Sequence, residues 1–342
     1  MYNLIFSSIE EAVSYCQTHP EQLVVLFAKQ AVFINKTNIF PKNLIITSSE
    51  ASITSNGRST TFLSGFGTSM ETVQVIPVSN LPMLDADKLE QAYNKIKNNK
   101  NACLFLLCDG INQTEEMFLN SLYFVDDAFK VIGGSAADEQ NGQTTILFGQ
   151  QKVNNLAIFL DIKQPTKLIK ENLYQTTNKK LLVTHADMIN RTVYTFNNQP
   201  AAIEYARQLN VSVKELSKLF LSNPLGKNIN SNTYITSPRN INEDMSITFY
   251  SQIVPNTFVD ILELSNIREI IQATQDSVHI KPQFIFSIHC ILRDTYLNQT
   301  NHWGLIIDNL SRINTKHTGF VSYGEQLFNF HLNQTMTLLI VK

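Results

Sequence analysis

Two stretches of this sequence run through the same order of elements. In the first, a helix over 85–98, an apolar strand over 103–107, a helix over 114–123 and a strand over 130–132 end at Gly133-Gly134. In the second, a helix over 266–276, a strand over 283–288, a helical stretch and a strand over 315–318 end at Gly319-Phe320. Leu89, Tyr93 and Ile96 fall on one helical face, and Ile267, Ile270, Ile271 and Thr274 mark another. Helices alternating with short buried strands build α/β sheets. The spacing points to a duplicated α/β unit, although identity between the copies is slight and such alternation also arises by coincidence. If the copies are equivalent, the Gly133–Glu139 and Gly319–Glu325 corners should face one cleft.

Glycine sharpens this reading. The chain has 12 in 342 residues, about half the usual ~7%. A sequence so sparing should keep glycine where backbone geometry leaves no alternative, and four of the twelve lie in these two corners.

The remaining pattern mixes strands with short helices. Ser8 and Glu11 form a capping box for a helix to about Thr18. Thr144–Phe148 and Leu156–Leu160 read as a strand pair around a turn at Gly149–Gln151. From about Lys163 the chain is strand-rich, and Asn198 with Pro200 opens a helix. The expected class is α/β to α+β, in two packed halves, 1–188 and 189–342, with mixed sheets.

Several functions are excluded or disfavoured. Lys and Arg total 27 against 29 Asp and Glu, a net charge of −2, so no basic field exists to hold a phosphate backbone. The longest apolar run, Leu23–Ala28, is far short of the ~20 residues that span a bilayer. Met1–Glu10 lacks the features of a signal peptide, and the four cysteines are irregularly spaced. Reduced thiols in a cytoplasmic protein are expected. There is no Walker-type phosphate loop, no His-Glu-x-x-His helix and no Gly-x-Ser-x-Gly elbow. Gly65-Phe66-Gly67 lacks the third glycine of a dinucleotide motif, because Met70 stands there, and reads as a strand glycine pair. His289 and Cys290 end a buried strand, and neighbours on a strand point to opposite faces. They therefore form no nucleophile–base dyad by themselves. A buried thiol is the plain reading of Cys290, and an enzyme using it as nucleophile is an alternative.

Four segments resemble one family. Lys130-Val131-Ile132-Gly133-Gly134-Ser135-Ala136-Ala137-Asp138, Gln199–Arg207, Cys290-Ile291-Leu292-Arg293, and Gly319–Gln326 followed by His331-Leu332-Asn333-Gln334-Thr335 are similar to the signatures of FIST sensory proteins. With Thr184-His185-Ala186-Asp187 upstream, the set most resembles the haem-binding, nitric-oxide-sensing branch, which signals to histidine kinases or cyclic-di-GMP enzymes. Other members are thought to bind small ligands such as amino acids. The chain departs from the family where Ile46–Ala51 lacks two glycines, where Ala137 replaces the glycine before Asp138, and where His289 and Asp294 flank the Cys290–Arg293 run.

The resemblance implies a stand-alone sensor without catalysis, acting through a separate partner. It makes His331 the candidate axial haem ligand, with His185 and His289 as rivals, against a plain strand histidine. Haem is the cofactor it implies. Glu325, Tyr323, Arg293, Cys290, Asp138 and Asn333 complete the candidate ligand site. Arg293 could clasp a carboxylate or a propionate, or serve a structural salt bridge. Glu325 and Asp138 read equally as turn carboxylates, and Tyr323 as a core tyrosine. The second reading is a sensor of an amino acid or another small polar metabolite, with Arg293 and Glu325 as clamps. His19, His279, His302 and His317 are expected in solvent.

Overall fold

The computed structural model describes residues 1–123, 125–136, 144–229 and 232–342, the side chain of Tyr123 excepted. The chain divides into two compact units. One comprises Met1–Glu171, Ile271–His331 and Met336–Lys342, the other Asn172–Ile270 and Leu332–Thr335. This division differs from a break at 188/189, because the second unit is an insertion in the sequence of the first.

The first unit repeats one pattern three times, not twice. The opening copy is β1 (Tyr2–Phe6), α1 (Ile9–Thr18), β2 (Gln22–Ala28), α2 (Gln30–Phe33), β3 (Leu44–Ser48), the ribbon β4 (Ser52–Thr54) and β5 (Gly57–Ser59), and β6 (Leu63–Ser69). The second is β7 (Val73–Val78), α3 (Ala86–Ile96), β8 (Cys103–Asp109), α4 (Glu115–Tyr123), β9 (Val131–Ala136), β10 (Ile146–Phe148), β11 (Gln151–Val153) and β12 (Asn155–Leu160). The third starts at β13 (Thr166–Asn172). There the second unit intervenes, with β14 (Tyr174–Asp187), β15 (Thr192–Phe196), β16 (Gln199–Pro200), α5 (Ala201–Leu209), α6 (Val213–Leu216), β17 (Leu225–Ile229), β18 (Asn232–Thr236), β19 (Pro238–Ile241), β20 (Ile247–Phe249) and β21 (Phe258–Leu264). The copy resumes at α7 (Ile267–Ser277), β22 (Phe284–Cys290), α8 (Ile291–Gln299), α9 (Trp303–Ile313), β23 (Thr318–Ser322), β24 (Glu325–Leu327), β25 (Phe330–Leu332) and β26 (Thr335–Val341).

Each copy builds a six-stranded sheet around a parallel pair, and the copies exchange their ribbons. The sheet orders are β1-β6-β2-β3-β10-β11, β25-β24-β9-β8-β12-β7 and β13-β26-β22-β23-β4-β5. The pairs β2/β3, β8/β9 and β22/β23 are parallel. The ribbon after β3 joins the third sheet, the one after β9 joins the first, and the one after β23 joins the second. The registers coincide: Thr47 opposes Ile146, Gly134 opposes Glu325, and Phe320 opposes Ser52. Gly133 and Gly319 are therefore equivalent, as the sequence suggested, and Ile46 holds the third such position.

The inward faces of the sheets meet in an aromatic core. Phe27 of β2 stacks on Phe320 of β23 at 3.9 Å and lies 5.4 Å from Phe286 of β22. Phe66 of β6 meets Phe105 of β8 at 5.2 Å. Gly134 is required here, since a Cβ would come within 2.5 Å of the Phe320 ring. The outward faces are covered by helices: Val24, Leu26 and Ala28 by α1, and Leu104, Leu106 and Cys108 by α3 and α4.

Three local expectations change. Gly133 and Gly134 lie inside β9 rather than ending it. β10 pairs with β11 and β3, while β12 pairs with β8 and β7, so the strands expected to pair with each other sit in different sheets. Pro200 is itself the N-cap of α5.

The second unit has one eight-stranded sheet, β18-β17-β21-β14-β15-β20-β19 with β16 on β15. Leu181, Val183, Phe196, Tyr205, Phe249 and Val259 are among its core. The mixed sheets and helices of the two units make the protein α+β.

Candidate functional site at the strand crossovers

The exchange of ribbons brings the ends of the parallel pairs together, because each crossover hydrogen-bonds to the next pair. The Ser48 amide donates to the Thr145 carbonyl at 2.8 Å, and the Ser135 amide to that of Gly324 at 2.9 Å. The Val321 amide donates to the Ala51 carbonyl at 2.9 Å. Ligands of α/β sheets settle at the carboxyl ends of such strands, where the chain leaves in different directions.

At the first crossover lies a cleft of about 470 Å³ lined by Lys29, Ala31, Val32, Glu50, Arg58 and Thr60. Lys29 follows β2 directly, Glu50 belongs to the crossover, and Arg58 comes from β5. The Lys29 ammonium reaches Glu50 Oε1 at 2.5 Å, and both side chains are largely buried. Glu50 Oε2 is buried and accepts no hydrogen bond. Arg58 donates through Nε and Nη2 to the two oxygens of Asp294, at 2.7 and 3.0 Å. The cleft thus presents two cations and a carboxylate oxygen with unused acceptor capacity.

The second crossover is closed and polar. Ser135 Oγ donates to Glu115 Oε1 at 2.9 Å, and Gln326 Nε2 donates to Ser135 Oγ at 3.0 Å. The same amide lies 3.2 Å from His331 Nδ1. Ser135, Glu115 and Gln326 are all buried. Gly324 has φ +143, and a Cβ there would approach His331 Cε1 to 2.4 Å and Nε2 to 2.9 Å. At the third crossover Ser322 Oγ donates to Glu325 Oε1 at 2.6 Å.

The residues expected in one site are therefore distributed. Glu325, Tyr323 and His331 gather at the second and third crossovers, where the Tyr323 amide donates to the Ser135 carbonyl. Arg293 does not open toward a ligand. It is fully buried and paired with Glu171, whose other oxygen accepts from Thr274 at 2.5 Å. Cys290 is fully buried at the end of β22, a poor place for a nucleophile. Burial pushes the Cys16 and Cys103 thiols up to about 12. Asn333 belongs to the second unit, where its Oδ1 accepts from the Ser237 amide and the Ser251 hydroxyl, each at 3.2 Å. Asp138 lies outside the described residues.

The histidines also test the haem expectation. Nδ1 of His331 lies beside Gln326, and the ring packs close to Gly324. His185 is exposed and stacks on Tyr194 with centroids 4.7 Å apart. His289 is buried against Trp303 at 5.0 Å. The described clefts of about 420 and 470 Å³ are lined by none of the three. His317, expected in solvent, is buried, and burial lowers it to about 4.

Lys29, Glu50 and Arg58 were missed because each is unremarkable in sequence. The Arg58–Asp294 pair spans 236 positions. The available signal was position, since Lys29 and Glu50 each stand just past the end of a buried strand.

The first unit is thus a mixed α/β fold with a charged cleft at its first crossover. Residues 22–199 match the FIST N domain and residues 201–327 the FIST C domain. The chain belongs to the FIST family, whose domains are small-ligand sensory domains of signalling proteins. No curated protein matches it. Among the described residues, no helix is long and apolar enough to cross a membrane.

Proposed function

We propose that this protein is a sensor of a small zwitterionic metabolite of the amino-acid class, bound in the cleft at the first crossover. The observation that carries the reading is Glu50, whose buried Oε2 faces no donor beside the cations Lys29 and Arg58. A buried acceptor left alone costs ~1–3 kcal/mol, and a ligand ammonium would remove that cost. Lys29 and Arg58 would hold the ligand carboxylate, Arg58 bidentately. The clamps are thus Lys29, Glu50 and Arg58 in place of Arg293 and Glu325. Haem and nitric oxide sensing rests on the family resemblance, and none of the three candidate histidines lines either described cleft. Signalling passes to a separate partner, a histidine kinase or a cyclic-di-GMP enzyme by the same resemblance.

A thermal-shift screen with the twenty L-amino acids tests the reading, alongside an absorption scan after hemin addition in wild type and His331→Ala. Stabilisation by at least one amino acid, without a Soret band, is expected. A Soret band lost in His331→Ala would return haem to the site.

A further inference from the structure

We infer that Arg58, Asp294 and Trp303 form a latch that passes occupancy of this cleft to the helix pair α8–α9, a step that rests on the cleft being the ligand site. Arg58 is shared between two roles. It lines the cleft, yet its Nε and Nη2 are already engaged by Asp294 of α8. Asp294 is almost wholly buried, and its Oδ1 also accepts from the Trp303 indole N–H of α9 at 2.9 Å and from Asn298 at 3.0 Å. One carboxylate therefore ties the β4/β5 ribbon to both helices. A ligand carboxylate competes with Asp294 for the same guanidinium fork. The ligand then favours the state in which Arg58 has left Asp294, and this difference in affinity drives the change.

The layer beneath these helices is suited to move. At three register positions on the outward face, the first copy has Leu26, Ala28 and Leu44, and the second has Leu106, Cys108 and Val131. The third copy has Ser287, His289 and His317. The hydroxyl of Ser287 and both ring nitrogens of His289 are buried without hydrogen-bond partners, as are Nε and Nη1 of Arg293. An apolar cover holds the helices of the first two copies, whereas α8 and α9 rest partly on the apolar Ala51, Ile53 and Val321 and partly on polar groups whose bonding is incomplete. Such an interface has less to lose on rearrangement.

Trp303 is the only tryptophan, so its emission reads the latch directly. In the ligand-free protein, Arg58→Ala should shift Trp303 emission to the red and speed amide exchange across residues 291–313. Arg58→Lys, which keeps the charge but not the fork, should shift it less. An amino acid that stabilises wild type should produce the same red shift, and the shift should be absent in Arg58→Ala. Unchanged emission and exchange in ligand-free Arg58→Ala would overturn the latch whether or not a ligand is found. A stabilising amino acid that leaves Trp303 unchanged would overturn it while leaving the cleft reading intact. Failure of every amino acid to stabilise, with Arg58→Ala behaving as expected, would reject the ligand class alone.

Discussion

Gly324 shows how narrowly single positions are defined. Its φ of +143 excludes side chains by backbone conformation, and the His331 ring excludes them by contact. Gly324→Ala should cost at least the ~1–3 kcal/mol of a strained backbone position, measured by urea unfolding. The Arg293–Glu171 pair is the other residue with a sharp consequence. Both side chains are essentially without solvent, so removing one partner strands a buried charge. Arg293→Met should cost ~3–5 kcal/mol, and the double change Arg293→Met/Glu171→Leu distinctly less. A double-mutant cycle in urea checks this. Equal losses for the single and double variants would show that packing, not charge, holds the site. Arg293 had two readings in sequence, and its buried pairing with Glu171 favours the salt bridge. That partner lies 122 positions away on β13, beyond what local pattern can show.

At the scale of elements, the layer under α8 and α9 should respond to pH. Burial lowers His317 to about 4, and burial together with Arg293 and His317 holds His289 well below the usual range. Both folded values lie below the ~6.5 of an unfolded histidine. The unfolded chain therefore binds more protons as pH falls. The stability from the neutral rings is complete above ~6.5 and is lost as pH drops from there through about 4. Each histidine should contribute a slope of ~1.4 kcal/mol per pH unit within that window. Urea unfolding of wild type and His317→Gln between pH 7 and pH 4.5 should show the variant with the flatter profile. Parallel profiles would mean that His317 is not buried as neutral imidazole. The helices and strands themselves were largely legible, because periods of 3.6 and 2 are local properties. The burial of His317 was not. It precedes β23 in a polar stretch, and its burial is a property of the packed unit rather than of that stretch.

For the whole molecule, sequence showed two copies of a unit and the structure has three. The first copy was hidden because Ile46 and Thr47 stand where the others carry Gly133-Gly134 and Gly319-Phe320, and because its second helix is a single turn, Gln30–Phe33. The exchange of ribbons was hidden for a different reason. Pairing between β4 and β23 or between β24 and β9 joins segments far apart in the chain, and strand pattern specifies a face but not a partner. That exchange gathers the strand ends and creates the cleft between Lys29, Glu50 and Arg58. The central claim is that this cleft takes a zwitterion by pairing an ammonium with Glu50. Isothermal titration with the most stabilising L-amino acid, in wild type and Glu50→Gln, tests it most directly. The account predicts saturable binding to wild type and a loss of tenfold or more in Glu50→Gln, the effect of about 1.4 kcal/mol. Equal affinity for both proteins would contradict it.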